Sequence, residues 1–338
     1  MQTWRDTVPL VKYLTQAVLV AALLAASGLP ARAADPAKKP DSPTFRVGIH
    51  IYKPGKIYDE ALQGIRDGLN TEGIAYEEVV TQSKGDDELA RENLRKLDTM
   101  SLDVIYSLSS AGTQLAKDLK LKTPVIATVV GHPRTLGVGG DRSNLSGKLA
   151  GTSYYVDAGR QLTLYRSLFP SIRTVGMIFD AKNPAGVLAE EPLLREACAA
   201  AGLAFVSVGV EDGTQIQAAA EKLIAEKADV IAIPTNNLVY ERLSQVLTVS
   251  EPRKIPVVSM NKQGVEAGAL AALFADTYYL GRQTADLARK ILVEKKDAAG
   301  LGFQYIPRPD LIVNMKSAKN LDYDFPPDIL GEAAIVLQ

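Results

Sequence analysis

The chain is poor in the residues on which most covalent and metal chemistry depends. It carries one cysteine, Cys198, and two histidines, His50 and His132, among 338 residues. One cysteine cannot close an internal disulfide, and no Cys/His cluster has the tight spacing of a zinc site. A Gly-x-Ser-x-Gly elbow is absent, and so is a phosphate-binding loop. Gly147-Lys148 is followed by Leu149, where such a loop needs Ser or Thr, and Gly137, Gly139 and Gly140 lack dinucleotide spacing. No catalytic residue, metal site or cofactor is therefore expected. A basic excess is also missing, with 38 Lys+Arg against 39 Asp+Glu and a formal charge of −1, which argues against a nucleic-acid partner. The apolar run Ala17–Ala26 falls short of the roughly 20 residues that span a bilayer.

That run has a different meaning. Arg5 and Lys12 precede it, Ser27, Gly28 and Pro30 break it off, and Ala31-Arg32-Ala33 supplies a small-x-small site. This order is that of a secretory signal. Residues 1–33 are expected to be a signal peptide cleaved after Ala33, which makes the protein periplasmic. No Cys stands at the end of the run to carry a lipid anchor. Residues 34–44, rich in Pro, Lys and Asp, read as a flexible leader. An exported protein without disulfides needs a large core, and the remaining chain of about 300 residues can supply one.

From Phe45 onward, strand-like runs alternate with helical spacing: Phe45–Ile51, then Tyr58–Glu72 with Ala61, Leu62, Ile65 and Leu69 on one face; Ala75–Val80, then Glu88–Met100; Asp103–Leu108, then Gln114–Leu119; and Pro124–Val130. Asn144–Ala150 is expected as a short strand. Alternation of this kind implies βαβ units and a parallel sheet. The pattern then returns. Thr174-Val175-Gly176-Met177 echoes Arg46-Val47-Gly48-Ile49, and Gly202-Leu203-Ala204-Phe205 echoes Gly73-Ile74-Ala75-Tyr76. Ala228-Asp229-Val230-Ile231 echoes Leu102-Asp103-Val104-Ile105, and Ile255-Pro256-Val257 echoes Thr123-Pro124-Val125. Four echoes in one order, at nearly constant offset, indicate an α/β protein of two Rossmann-like lobes, each a parallel sheet flanked by helices. We expect residues 45–150 plus about 268–306 in the first lobe, and 151–267 plus about 307–338 in the second, with three connections between them.

Ligands in such sheets sit beyond the carboxyl ends of the strands, so two facing lobes create a cleft. In the first lobe those ends carry Tyr52, then Ser109, Ser110, Gly112 and Thr113, then His132. In the second they carry Thr235, Asn236 and Asn237, then Asn261, with Asp276 between a late strand and helix. The Ser109–Thr113 corner opens a helix whose free N–H groups suit an anion. Asn236, Asn237 and Asp276 suit the polar remainder of a solute, and Tyr52 suits stacking on a flat one. Ser109, Ser110, Thr113, Thr235 and Asp276 also fit the simpler role of N-caps, and His132 that of a loop residue. Cys198 reads as a buried core thiol.

The segment Ala275-Asp276-Thr277-Tyr278-Tyr279-Leu280-Gly281-Arg282-Gln283-Thr284-Ala285 resembles a stretch of ABC-transporter substrate-binding proteins of the tryptophan/tyrosine-type group. Leu311-Ile312-Val313-Asn314-Met315-Lys316-Ser317-Ala318 with Pro326-Pro327-Asp328-Ile329-Leu330 is similar to that family's ending, and Asn144-Leu145-Ser146-Gly147 to the stretch before its central helix. The resemblance covers nearly the whole chain after the signal. It implies the type I periplasmic-binding-protein fold, a small-molecule solute held in the cleft, a membrane permease as partner, a monomer and no enzymatic activity. This chain departs from the family at the site. Asn236-Asn237 stands where members carry Asp-Asn, and His132-Pro133 where they carry Asp-Pro, which leaves Asp276 as an acid for an ammonium group. Two other functions use the same fold: a receptor reporting to a membrane kinase or cyclase instead of a permease, and an exported α/β enzyme. The shortage of nucleophile–base pairs argues against the second.

Overall fold

The computed structural model describes residues 43–138, 148–235 and 237–338. The expected signal peptide, most of the leader, Asn236 and Asn144-Leu145-Ser146-Gly147 lie outside the described residues.

The first lobe alternates strand and helix: β1 (Phe45–Ile51), α1 (Lys56–Thr71), β2 (Tyr76–Gln82), α2 (Asp87–Thr99), β3 (Val104–Leu108), α3 (Ser110–Asp118), β4 (Val125–Val130) and β5 (Leu149–Ser153). The second continues with α4 (Ala158–Leu168), β6 (Thr174–Asp180), α5 (Glu191–Ala200), β7 (Ala204–Val210), α6 (Ile216–Ala225), β8 (Val230–Ile233), α7 (Asn237–Tyr240), α8 (Leu243–Ser250), β9 (Val257–Ser259), α9 (Lys262–Glu266) and β10 (Ala271–Phe274). The chain then returns through α10 (Thr277–Leu292), α11 (Ala298–Leu301) and β11 (Phe303–Tyr305). It ends in β12 (Asp310–Asn314), α12 (Met315–Asn320), α13 (Pro327–Glu332) and β13 (Ala333–Leu337).

The first sheet has six parallel strands in the order β11-β5-β4-β3-β1-β2. The second lobe holds a parallel sheet β7-β6-β8-β9 and a three-stranded sheet β10-β12-β13, joined at their margin by Leu270 N–H donating to Val257 O at 2.7 Å. Strands β3 and β4 are buried along their whole length because helices cover both faces, and so they read as unbroken apolar runs. Helix α1 turns Ala61, Leu62, Ile65 and Leu69 inward, and α10 lies against it with Ala285, Leu287 and Ala288 in the same core.

The echoes mark repeated structural roles. Asp103 accepts from Arg46 N–H at 2.7 Å, and Asp229 accepts from Arg173 N–H at 2.7 Å and Thr174 N–H at 2.9 Å. In each lobe this carboxylate pins the start of the first strand. Gly73 and Gly202 both come after a helix with φ near +70° (69° and 71°), a left-handed backbone that glycine adopts without strain.

Three boundaries differ from expectation. Helix α3 begins at Ser110, not Gln114, because Ser109 Oγ accepts from Gly112 N–H at 3.0 Å and caps it four residues early. Of the strand expected over 144–150, residues 144–147 lie outside the described residues, and β5 runs on past its expected end to Ser153. The return crossing expected near residue 268 comes later, since β10 pairs antiparallel with β12 in the second lobe. The chain passes back only at Ala275–Asp276, and β11 then extends the first sheet as an edge strand beside β5.

Candidate functional site

A cavity of about 420 Å³ opens between the lobes. From the first lobe, the β1–α1 loop and the first turns of α1 contribute Lys53, Tyr58 and Glu60. From the second, the β8 corner and α7 contribute Thr235, Asn237 and Tyr240, and the β9–α9 corner contributes Asn261 and Lys262. The connections contribute Tyr154 after β5 and Asp276 and Thr277 at the start of α10. Every one of these lies past the carboxyl end of a strand or opens a helix, so the backbone there turns toward the gap.

Two tyrosines from opposite lobes, Tyr58 and Tyr240, stand in the cavity wall. Tyr58 is buried, and its phenol is pushed up to about 12, first by burial and then by the nearby Tyr240. Tyr240 is raised too, mainly by burial, and its hydroxyl donates to Asn237 Oδ1 at 2.8 Å. Asn237 Nδ2 in turn donates to Glu241 at 2.9 Å. Lys262 lies 5.9 Å from the Phe274 ring centroid and 3.8 Å from Glu266, while Lys53 makes no ion pair among the described residues. Asp276 caps α10, its Oδ1 accepting from Tyr279 N–H at 3.1 Å. Thr277 donates to Glu60 at 2.6 Å, tying the crossing to α1. Aromatic walls, cations and two acids, Glu60 and Asp276, together suit a flat zwitterion: rings on the tyrosines, a carboxylate near lysine, an ammonium near acid or amide oxygen.

Of the residues expected from the sequence, Thr235, Asn237, Asn261 and Asp276 line this cavity. Asn261 also caps α9, accepting from Gly264 N–H at 2.8 Å. Asn236 lies outside the described residues. The first-lobe corner is not part of the lining, and its side chains are engaged locally. Ser109 caps α3, Ser110 Oγ accepts from Gly131 N–H at 3.0 Å, and the fully buried Thr113 donates to Ser107 Oγ at 3.2 Å. A side chain at Gly112 would meet Tyr52 Cβ at 3.2 Å. Tyr52 turns away from the cavity, its hydroxyl donating to Asp87 Oδ1 at 2.6 Å, which with burial lifts its pKa to about 12. His132 caps a 3-10 turn, Pro133–Leu136, by accepting from Arg134 N–H at 3.0 Å. Its ring meets Tyr155 edge-on at 4.6 Å, and burial, aided by Arg134, depresses its pKa to about 4.

Tyr58, Tyr154, Tyr240 and Glu190 carry no signal of a site in the sequence. Tyr58 stands only as the first residue of the expected helix Tyr58–Glu72, and Tyr154 and Tyr240 fall in no motif. Glu190 ends a π-helical turn, Gly186–Glu190, and is 2% exposed. Its Oε1 accepts from Thr235 N–H at 3.0 Å and from Thr235 Oγ1–H at 2.5 Å, while Oε2 has no partner among the described residues. Burial raises its pKa, and the Thr235 bonds partly counter the rise. Only the fold brings residues 190 and 235 together.

A family model described as ABC transporter substrate binding protein matches residues 46–337. The chain belongs to this family of ABC-transporter substrate-binding proteins. Among curated relatives, it is 26% identical over 220 residues to the "Tyrosine-binding protein" of Clostridioides difficile (strain R20291). That alignment takes in 65% of this chain and 63% of that protein, less than two thirds of the relative's length. Among solved structures, a ligand-free, open substrate-binding protein with adhesive properties from Clostridium difficile matches with a TM-score of 0.77 at 22% identity. The match covers 87% of this chain and 100% of that one. An ABC domain in complex with L-Trp from Streptococcus pneumonia matches with a TM-score of 0.70 at 21% identity and the same coverage. At these identities the likeness shows the fold, a type I periplasmic-binding-protein architecture. This family member has its cavity where that architecture puts it, between the lobes.

Proposed function

We propose that the protein is the solute receptor of an ABC importer, that it binds an aromatic amino acid such as tyrosine or tryptophan between its lobes, and that it delivers this solute to a membrane permease. The observation that carries the proposal is the cavity of about 420 Å³, with a tyrosine from each lobe, Lys53 and Lys262 on its walls, and Asp276 at the crossing. Its size falls within the roughly 300–1,000 Å³ of small-molecule sites. A solute touching Tyr58 and Tyr240 together contacts both lobes, so it favours the closed arrangement over the open one. The closed surface is what the permease recognises. The names of the tyrosine-binding and L-Trp-bound relatives support the solute class. The basic, apolar and small-x-small segments of residues 1–33 support export and cleavage after Ala33, which N-terminal sequencing of the mature protein checks.

Calorimetric titration and thermal shift of the purified protein with L-tyrosine and L-tryptophan, against glucose and ribose, test the proposal. At about 100-fold excess over Kd a native-state ligand adds roughly 2.7 kcal/mol of stability, so a clear rise in Tm is expected with the aromatic amino acids alone. A rise with the sugars and none with the amino acids would sink the solute class.

A further inference from the structure

Glu190 is a carboxyl group taken out of water with no cation to balance it. It is buried, and it belongs to none of the ion pairs among the described residues. Its hydrogen bonds fall on one oxygen: Oε1 is bonded to Thr235 N–H at 3.0 Å and to Thr235 Oγ1 at 2.5 Å, while the buried Oε2 has no partner among the described residues. The other titratable groups around it are phenols, those of Tyr154 and Tyr155 from the connection after β5 and of Tyr165 from α4. The Pro133–Leu136 turn of the first lobe packs against the π-helical turn that ends in Glu190. The basic residue of that first-lobe turn, Arg134, and its cap, His132, form no ion pair with Glu190 either. An ionised carboxyl in these surroundings loses its hydration and recovers only part of it from Thr235. Burial therefore favours the neutral acid, and the pKa of Glu190 is raised. Yet Glu190 stands directly behind the cavity wall, because Thr235 lines the cavity. The Thr235 hydroxyl oxygen has two lone pairs, so one stays open to a solute whichever way the proton between it and Glu190 points. An ammonium donating to that oxygen at about 2.9 Å stands within about 5.5 Å of Glu190 Oε1. A positive charge at that range favours the ionised carboxyl.

We propose that Glu190 couples solute binding to proton release: the empty receptor holds Glu190 as the neutral acid, and a solute ammonium at Thr235 expels its proton to solvent. The carboxyl O–H bond breaks, its electron pair stays on the oxygen, and no other group is consumed. Glu190 acts through Thr235 and does not touch the solute. Affinity for an amine-bearing solute then rises with pH across the range in which the empty receptor holds that proton. Lys53 and Lys262 remain for the carboxylate of the solute. This inference rests on the proposed solute class and adds a pH control to the same site.

The test titrates L-tyrosine and L-tryptophan calorimetrically into the wild type and Glu190→Gln at pH 6.5, in phosphate and in imidazole buffer. The two buffers differ in ionisation enthalpy, so the difference in observed heat counts the protons released. Both amino acids keep their own charges at that pH. The wild type is expected to release protons, at most one per solute, and Glu190→Gln none. No release by the wild type, or equal release by both proteins, would overturn the proposal. Difference infrared spectra of the wild type read the same event without a variant: the carbonyl stretch of a protonated carboxyl should vanish on binding, and spectra that show no such loss overturn it. If neither amino acid binds, the solute class fails, and Glu190 is judged without solute. The Tm of Glu190→Gln minus that of the wild type should then grow from pH 5 to pH 8, because only the wild type loses stability as a neutral native carboxyl faces rising pH. A difference that stays constant would overturn the uncompensated acid on which the coupling depends.

Discussion

A methyl group placed on Gly64 would lie 2.0 Å from the Tyr278 carbonyl oxygen, 2.9 Å from its carbon and 3.1 Å from Arg282 N. Gly281, on the facing helix, is in the same position: its methyl would lie 2.1 Å from Ala61 O. The obstacles are backbone atoms of regular helices, so no rotamer change relieves them. Non-bonded carbon–oxygen contacts settle near 3.3 Å, so α10 would have to retreat by about 1 Å or tilt. Overpacking of this kind costs about 1–3 kcal/mol, and the backbone contact puts Gly64→Ala at the upper end. Alanine in a helix interior returns about 1 kcal/mol over glycine, leaving a net loss of about 2 kcal/mol. For a chain of this size that lowers Tm by roughly 4 °C. The retreat also carries Thr277 away from Glu60, loosening the crossing beside the cavity. Gly331→Ala is the control, because nothing lies within 4 Å of its added methyl and it sits in α13; it should be neutral or stabilising by up to about 1 kcal/mol. Urea or thermal unfolding of the two variants separates the effects. A Gly64→Ala protein as stable as Gly331→Ala would refute close helix crossing as the reason for glycine there.

Other consequences can be measured directly. His50 and His132 are held at about 4 by burial, below the ordinary histidine value of 6.5, so the unfolded chain binds protons first as pH falls. Their stabilising effect is complete above about 6.5 and is lost toward 4, with each costing about 2 kcal/mol at pH 5. The raised pKa of Glu190 works the other way, favouring the native state as pH falls. Urea titrations at pH 8 and 5 should show a net loss that shrinks in His132→Gln; a flat profile would contradict the burial of both rings. Tyr58→Ala and Tyr240→Ala should each weaken L-tyrosine binding at least tenfold in calorimetry if the rings sandwich the solute, whereas Tyr52→Phe, which loses only its hydroxyl bonds to Asp87 and Gly85 O, should bind as the wild type does. Asp103→Asn and Asp229→Asn should both destabilise in denaturant unfolding, by about 1 kcal/mol per strand-start hydrogen bond weakened, with Asp229→Asn the costlier because its carboxylate accepts two N–H groups against one for Asp103; no loss in either would refute the pinning role.

Much of the architecture was legible because it rests on short-range pattern. Runs such as Val125–Val130, buried on both faces, can only be central strands, and Leu62, Ile65 and Leu69 can only be one helix face. The echo of Asp103 in Asp229 was visible as a repeat, and its cause, a carboxylate accepting strand-start N–H groups, emerged with the fold. Less of the site could be read. Ser109, Ser110 and Thr113 are in type and spacing what an anion-binding corner needs, yet the same hydroxyls satisfy neighbouring backbone and side-chain groups. The choice between those uses depends on distances between elements.

Sequence alone determined the alternation of strand and helix, the duplication into two lobes, and a cleft at the strand ends, since each arises from periodicity and local propensity. Tertiary structure decided which residues reach the cleft. Tyr58 and Tyr240 line one cavity only because the lobes face each other. Glu190 acquires its partner only because a π-helical turn packs it against residue 235, 45 positions away. Side-chain contacts between lobes are set by the rigid-body placement of whole sheets, and no local pattern in the chain encodes that placement.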